Sequence, residues 1–217
     1  MDLEDVWRIR EEEIYPTIFG GESRGIFVLT AEIFTKRFGA KTYDPRWLTH
    51  GVFEFAPTQA RPCWLYVTSA YSNPWEQEPP QYDPDSESGS GVEFVFASKE
   101  QGDWAINFLQ NMLAYDLLLT AGHFGDRPPL GEGDRIPLNS PIDDIEGCLI
   151  RNAIVSVPSE LPLGFVLPSG KVGFFTLTGV TDAEIAFAKS QDTDVLIERL
   201  RTASQYPVTD PGRASVL

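Results

Sequence analysis

Apolar and polar residues alternate with a period of two in three stretches of the first half of the chain. Thr49–Ala56 places Val52 and Glu54 on one face and Phe53 and Phe55 on the other; Cys63–Ser69 and Gly91–Ser98 repeat the pattern. Aromatic and β-branched residues at that spacing predict strands. Gly25–Thr30 is a shorter apolar run and reads as a fourth strand. Ile150–Val157 and Leu163–Leu167 add two more, and Lys171–Thr178 pairs with the latter through Pro168-Ser169-Gly170, a spacing that suits a hairpin.

The period changes to that of a helix in five places. Residues 3–13 bring Leu3, Val6, Trp7 and Arg10 near one face, with Pro16 expected to end the helix. Ala31–Phe38 is helical or irregular and stops at Gly39. From Asp103, read as the cap, to Thr120, the residues Ala105, Phe108, Leu109, Met112, Leu113 and Leu117 form a wide apolar stripe closed by Gly122. Thr181-x-x-Glu184 is a capping box opening a helix through Lys189, and Asp192 or Thr193 caps a last helix through Thr202. Strands come in runs rather than in strict alternation with helices. This predicts an α+β fold, one domain over residues 1–217, with a mixed, mostly antiparallel sheet flanked by helices.

Two polar segments interrupt the pattern. Ser72–Ser90 holds four prolines and five acids, together with Trp75 and Tyr82. Loops of this length are usually functional or mobile, and aromatics within one are either contact anchors or tucked back onto the core. Gly122–Pro141 is a second, Gly/Pro-rich segment, read as irregular.

Composition narrows the function classes. The 32 acidic and 17 basic residues leave a net charge of −15, which repels phosphate backbones and disfavours nucleic-acid partners. The same field serves solubility or steers a basic partner inward. Two cysteines without paired spacing, Cys63 and Cys148, suit a reducing compartment and inert core thiols. The charged N-terminus lacks the apolar run of a signal peptide, and no stretch approaches the roughly 18–20 apolar residues of a membrane span. A cytoplasmic location and no membrane partner are expected.

Candidate chemistry is sparse. Gly21-Glu22-Ser23-Arg24-Gly25 matches the Gly-x-Ser-x-Gly pattern, but a hydrolase elbow needs a strand before it and a helix after it, and here a strand follows. Asp83-x-Asp85-x-Glu87 begins like a calcium loop but has Ser88 at the glycine position and Phe94 at the final ligand position. His50 and His123 lack metal-ligand spacing, and a Cys–His dyad needs partners that the spacing does not bring together. Gly131-x-Gly133 and Gly89-Ser90-Gly91 fail as phosphate cradles because neither opens a helix after a strand. Glu54 and Glu93 lie on strands, where a carboxylate pair of the glycosidase kind is conceivable, but carboxylates pointing outward from a half-exposed sheet explain them more simply. No catalytic residue, metal or cofactor is expected; a hydrolase built on Ser23 or a Cys–His pair is the disfavoured alternative.

An ordered series of short motifs carries more information than any one of them. It runs Ser88-Gly-Ser-Gly-Val-Glu-Phe-Val-Phe96, Leu113-Ala-Tyr115, Gly133-Asp134-Arg135, Asn139-Ser140-Pro141-Ile142-Asp143, Gly164–Thr178, Gly179-Val180-Thr181-x-x-Glu184 and Val208-Thr209-Asp210. This series, from about residue 60 to 213, resembles the Suppressor of fused family, over the N-terminal lobe of the eukaryotic protein. The resemblance implies a protein-binding scaffold in which an extended peptide adds as a strand. By motif match it places contacts on Tyr115 and Asp134, with Asn139 where the eukaryotic motif carries a histidine. Each has a bland reading beside it: Tyr115 as a core tyrosine at the edge of the stripe, Asp134 as a turn cap. Short bacterial members are regarded as immunity proteins of polymorphic toxin systems, which implies a partner protein, a basic toxin domain or an extended peptide. The acidic loop with Trp75 and Tyr82 is then a candidate patch.

Overall fold

A computed structural model describes residues 2–20 and 23–217. Gly21 and Glu22 of the Gly-x-Ser-x-Gly match, and Met1, lie outside the described residues. Among the described residues, nine strands form one sheet: β1 (Ser23–Val28), β2 (Gly51–Phe55), β3 (Trp64–Ser69), β4 (Glu87–Ser98), β5 (Arg135–Pro137), β6 (Ile150–Ser156), β7 (Gly164–Leu167), β8 (Gly170–Thr181) and β9 (Val208–Thr209). The order is β1-β2-β3-β4-β8-β6-β5, with β7 on β8 and β9 on β4. The β4–β8 and β4–β9 pairs are parallel and the others antiparallel, so the mixed, mostly antiparallel sheet expected from the pattern is present.

Both faces of the sheet are covered. α3 (Asp103–Thr120) lies on one, against Val52, Tyr66, Phe94, Phe96, Val155 and Leu177. The other face holds Phe53, Phe55, Leu65, Val67, Val95 and Phe174 against Tyr15 and Phe19 of the N-terminal helices. Further along that face, Ile154 and Val180 meet α4 (Asp182–Ser190) and α5 (Thr193–Thr202). Alternation along each strand sends successive side chains to opposite layers, so single strands feed both cores.

This two-sided cover corrects one expectation. Glu54 and Glu93 do not point into solvent; both are 0 % exposed. Glu93 accepts from Ser72 N at 2.9 Å, Ser72 Oγ at 2.6 Å and Thr68 Oγ1 at 2.6 Å. Glu54 accepts from Gln101 and pairs with Arg24 at 2.9 Å. Arg10 is fully buried beside Glu93's partners and donates to Ser69, Ser72, Asn73 and Glu11, tying the N-terminal helix to the sheet.

The N-terminal helix also passes Pro16. α1 (Leu3–Arg8) continues through a π-helical stretch (Ile9–Ile14) into α2 (Tyr15–Phe19), and Gly20, at φ 60°, ends it. A proline forfeits its own helix hydrogen bond and crowds the preceding turn; the wider π turn ahead of Pro16 carries that irregularity. Asp103 is the first residue of α3, and Gly102 is the cap. The Thr181/Glu184 capping box and the Asp192 cap form as the sequence predicts. β4 begins at Glu87, inside the segment read as loop, and β5 lies in the Gly/Pro-rich segment read as irregular. No helix among the described residues is long and apolar enough to cross a membrane.

Candidate functional site

The five residues singled out from the sequence fall in three places, and three of them meet. Tyr115, Asp134 and Asn139 line one groove of about 720 Å³ between α3 and β5. Tyr115 sits on the flank of α3, half-buried, its ring 6.0 Å from Phe38 and 5.2 Å from Phe124. Its hydroxyl has no hydrogen-bond partner among the described residues, unlike that of Tyr71 deeper in the core, which donates to Asp116 at 2.6 Å. Asp134 closes a tight turn: its Oδ2 accepts from Gly131 N at 2.8 Å and its own N–H donates to Gly131 O at 3.1 Å. Gly133, at φ 86°, supplies the left-handed residue that this turn requires. Asn139 occupies the left-handed region at φ 62°, which asparagine tolerates better than branched residues do.

Between Asp134 and Asn139 runs β5, the last strand of the sheet. Asp134 O accepts from Val155 N, and Leu138 N donates to Arg151 O, each at 2.9 Å, so both groups point toward β6. Backbone groups alternate in direction along an extended strand. The N–H and C=O of Arg135 and the C=O of Pro137 therefore point away from the sheet, with no strand beyond them in the sheet order. Pro137 has no N–H, and proline is tolerated on an edge for that reason. The strand is three residues long, short enough to limit nonspecific pairing.

Trp75 and Tyr82 lie elsewhere and pack back onto the body, the second of the two roles open to them. Trp75 makes an edge contact with Trp7 at 6.3 Å, stacks with His50 at 6.4 Å and lies under the Arg46 guanidinium at 5.5 Å. Tyr82 packs against Val6, Leu167 and Val172. The sequence did not point to Arg37, Phe38, Arg127 or Arg135, which complete the groove. It also missed Asp116, which holds the segment after α3 in place by accepting from Leu130 N at 2.6 Å. Burial pushes the Asp116 carboxyl above its ordinary range. Arg135 closes the Gly133-Asp134-Arg135 motif but was not singled out there, and the others carry no period or motif; they meet only because α3, its following loop and β5 converge.

Among the described residues, no hydrogen bond joins Ser23, Cys63 or Cys148 to an imidazole. Ser23 pairs with Phe55, whereas His50 precedes Gly51 at the other end of the β1–β2 ladder, roughly 17 Å away at ~3.4 Å per residue. Arg24, beside Ser23, meets Asp103 at the first turn of α3, while His123 follows its last turn, about 27 Å along the axis. Cys63 and His50 flank opposite ends of the β2–β3 ladder. Both thiols are buried, and burial pushes them up, away from reactive thiolate. Burial also lowers His50 to about 4, leaving a neutral ring whose Nδ1 lies 3.3 Å from Arg46 O. No group of three or more His, Cys, Asp or Glu side chains among the described residues could hold a metal.

The family model of Suppressor of fused protein (SUFU) matches residues 47–214. The chain belongs to the Suppressor of fused family. Among solved structures, a Sufu-Fu complex is similar at TM-score 0.66 and 20% identity, over 99% of this chain and 92% of that one. A Suppressor of fused homolog from Neisseria gonorrhoeae is similar at TM-score 0.57 and 19% identity, over 99% and 94%. Drosophila Suppressor of Fused matches at TM-score 0.58 and 19% identity; the match covers 77% of this chain and 42% of the Drosophila chain. At these identities the likeness is one of fold. No curated protein matches by sequence. The Suppressor of fused model spans β5, Tyr115, Asp134 and Asn139 and begins after the N-terminal helices.

Proposed function

We propose that this chain is a non-enzymatic protein-binding module, one domain over residues 1–217, that receives an extended segment of its partner alongside β5. The observation that carries this reading is an edge strand whose free Arg135 N–H and C=O face outward beside Tyr115, Asp134 and Asn139. Strand addition supplies affinity through main-chain bonds and specificity through pockets for alternate side chains. The relative crystallised as a Sufu-Fu complex supports a protein partner.

The test is Arg135→Pro against Arg135→Ala. Proline removes the one N–H offered to an incoming strand and leaves the bonds to β6 untouched. Peptides are selected on the wild-type protein from a displayed random octapeptide library, and their affinities are compared. Arg135→Pro is expected to weaken them at least about tenfold more than Arg135→Ala, because an incoming donor–acceptor pair and edge geometry are lost together. Equal binding to both variants refutes strand addition at β5.

The net charge of −15 favours a second reading, an immunity protein that occludes a basic toxin domain. The exposed acids Glu76 and Asp85 of the 72–90 segment would form part of its docking face. That reading expects a complex with a basic partner domain at low salt that weakens steeply as salt rises.

A further inference from the structure

The β5 groove carries the opposite charge to the chain around it. Outside the groove, Arg8, Arg10, Arg24, Arg46, Arg201 and Arg213 pair with carboxylates, while Arg61 donates to backbone carbonyls, Arg199 lies over the Phe187 ring, and Arg151 forms no ion pair among the described residues. Arg37, Arg127 and Arg135 all line the groove, all are exposed, and none forms an ion pair among the described residues. Arg135 gives one nitrogen to Ala188 O at 2.9 Å. The only acid of the lining is Asp134, already engaged by Gly131 N. Three bases thus face one acid here. The larger cleft on the opposite face of the sheet has two of each, Arg61 and Lys99 with Glu160 and Asp210. The cleft beside Trp75 has one base, Arg46, with Asp44 and Glu76. In a chain with nearly twice as many acids as bases, a local excess of free arginine needs a reason.

Guanidinium forks match a carboxylate with two parallel hydrogen bonds. A segment lying along β5 projects alternate side chains into the groove, where one carboxylate would meet these forks. A run of acids would not do as well. Acids of a run that lie outside the groove come within about a Debye length, about 8 Å at physiological salt, of a chain whose net charge is −15 and are repelled by it, and only the residue in contact gains from the arginines. We infer that the groove selects an extended partner segment carrying a single Asp or Glu side chain between uncharged residues. This rests on the strand-addition reading and adds the chemistry of the segment.

The experiment uses the full chain and the double variant Arg37→Gln/Arg127→Gln, whose exposed positions spare the fold. Random displayed octapeptides are selected on each protein. The sequences recovered on the wild type are then made with amidated C-termini, carrying Glu, Gln or Lys at the enriched position, and measured by fluorescence anisotropy. The expected result is enrichment of Asp or Glu at one position. Replacing that Glu by Gln should weaken binding roughly tenfold on the wild type, as for a lost charge-assisted pair, and under about twofold on the double variant. Enriched peptides without an acidic position, with a basic one, or with a run of acids overturn the inference while leaving strand addition standing. So does an equal Glu-to-Gln loss on both proteins. Acidic peptides recovered only with a free C-terminus would show that the terminal carboxylate, not a side chain, is read, which also overturns it. If no peptide is enriched on the wild type, both readings fail.

Discussion

Replacing Arg10 with methionine removes a guanidinium from the middle of the fold while keeping most of the volume of its stem. Arg10 is 0 % exposed and donates to Asn73 Oδ1 at 2.8 Å, Ser69 Oγ at 3.0 Å, Glu11 Oε1 at 3.1 Å and Ser72 Oγ at 3.2 Å. Ser72 in turn donates to Glu93, so the substitution leaves a fully buried carboxylate without the cation that shares its partner. Losing one member of a buried charged network typically costs ~3–5 kcal/mol, against a total stability of about 5–15 kcal/mol for a domain. Urea unfolding of wild type and Arg10→Met should show a loss of that size.

The pH dependence of this deficit gives a sharper test. Burial raises the Glu93 carboxyl above its ordinary value of 4.5, and the charge of Arg10 is the leading influence holding it down. Where the folded value exceeds the unfolded one, the native state keeps a proton that the unfolded chain has released. Stability is then full below the unfolded value and falls as pH rises through the folded value. Without Arg10 the folded value climbs further, so the deficit grows as pH rises past the wild-type folded value. Adding Glu93→Gln should recover part of it at neutral pH. A deficit below about 1 kcal/mol, or one flat from pH 5 to 8, would refute the electrostatic role assigned to Arg10.

His50 has the opposite sign. Its folded value, lowered to about 4 by burial, lies below the ordinary 6.5, so its contribution to stability is full above pH 6.5 and is lost as pH falls toward 4. Thermal melts across that window should show a shallower acid limb for His50→Gln than for wild type. Tyr115→Phe keeps the ring contacts with Phe38 and Phe124 and removes a hydroxyl that has no partner within the described residues. Its melting curve should stay within about 0.5 kcal/mol of wild type, while affinity for the selected peptides drops. Unchanged affinity would return Tyr115 to a purely structural role.

Most of the regular structure was legible along the chain because its causes are local. The stripe from Ala105 to Leu117 becomes the buried face of α3, and Thr181 with Glu184 forms the capping box of α4. Pro168 and Ser169 turn the β7–β8 hairpin with Leu167 opposite Gly170. The family resemblance singled out Tyr115, Asp134 and Asn139 with no periodicity behind it, and the fold brings them into one groove.

β5 escaped the sequence reading because a three-residue strand ending in proline has no period to detect; it is a strand only because β6 lies beside it. Glu54 and Glu93 were misplaced for a related reason. Alternation separates the two faces of a strand, but whether a face meets water depends on helices packed from distant parts of the chain. Hydrogen-bonding propensity and apolar spacing act over a few residues, and they determined which segments would be helix or strand. Arg10 finds Ser69, and Arg213 finds Glu184, across long stretches of sequence. Burial of charge, the exposed edge and the unpaired arginines around it were therefore decided by the assembled sheet alone, since only tertiary packing determines which polar groups are cut off from water and which are left facing it.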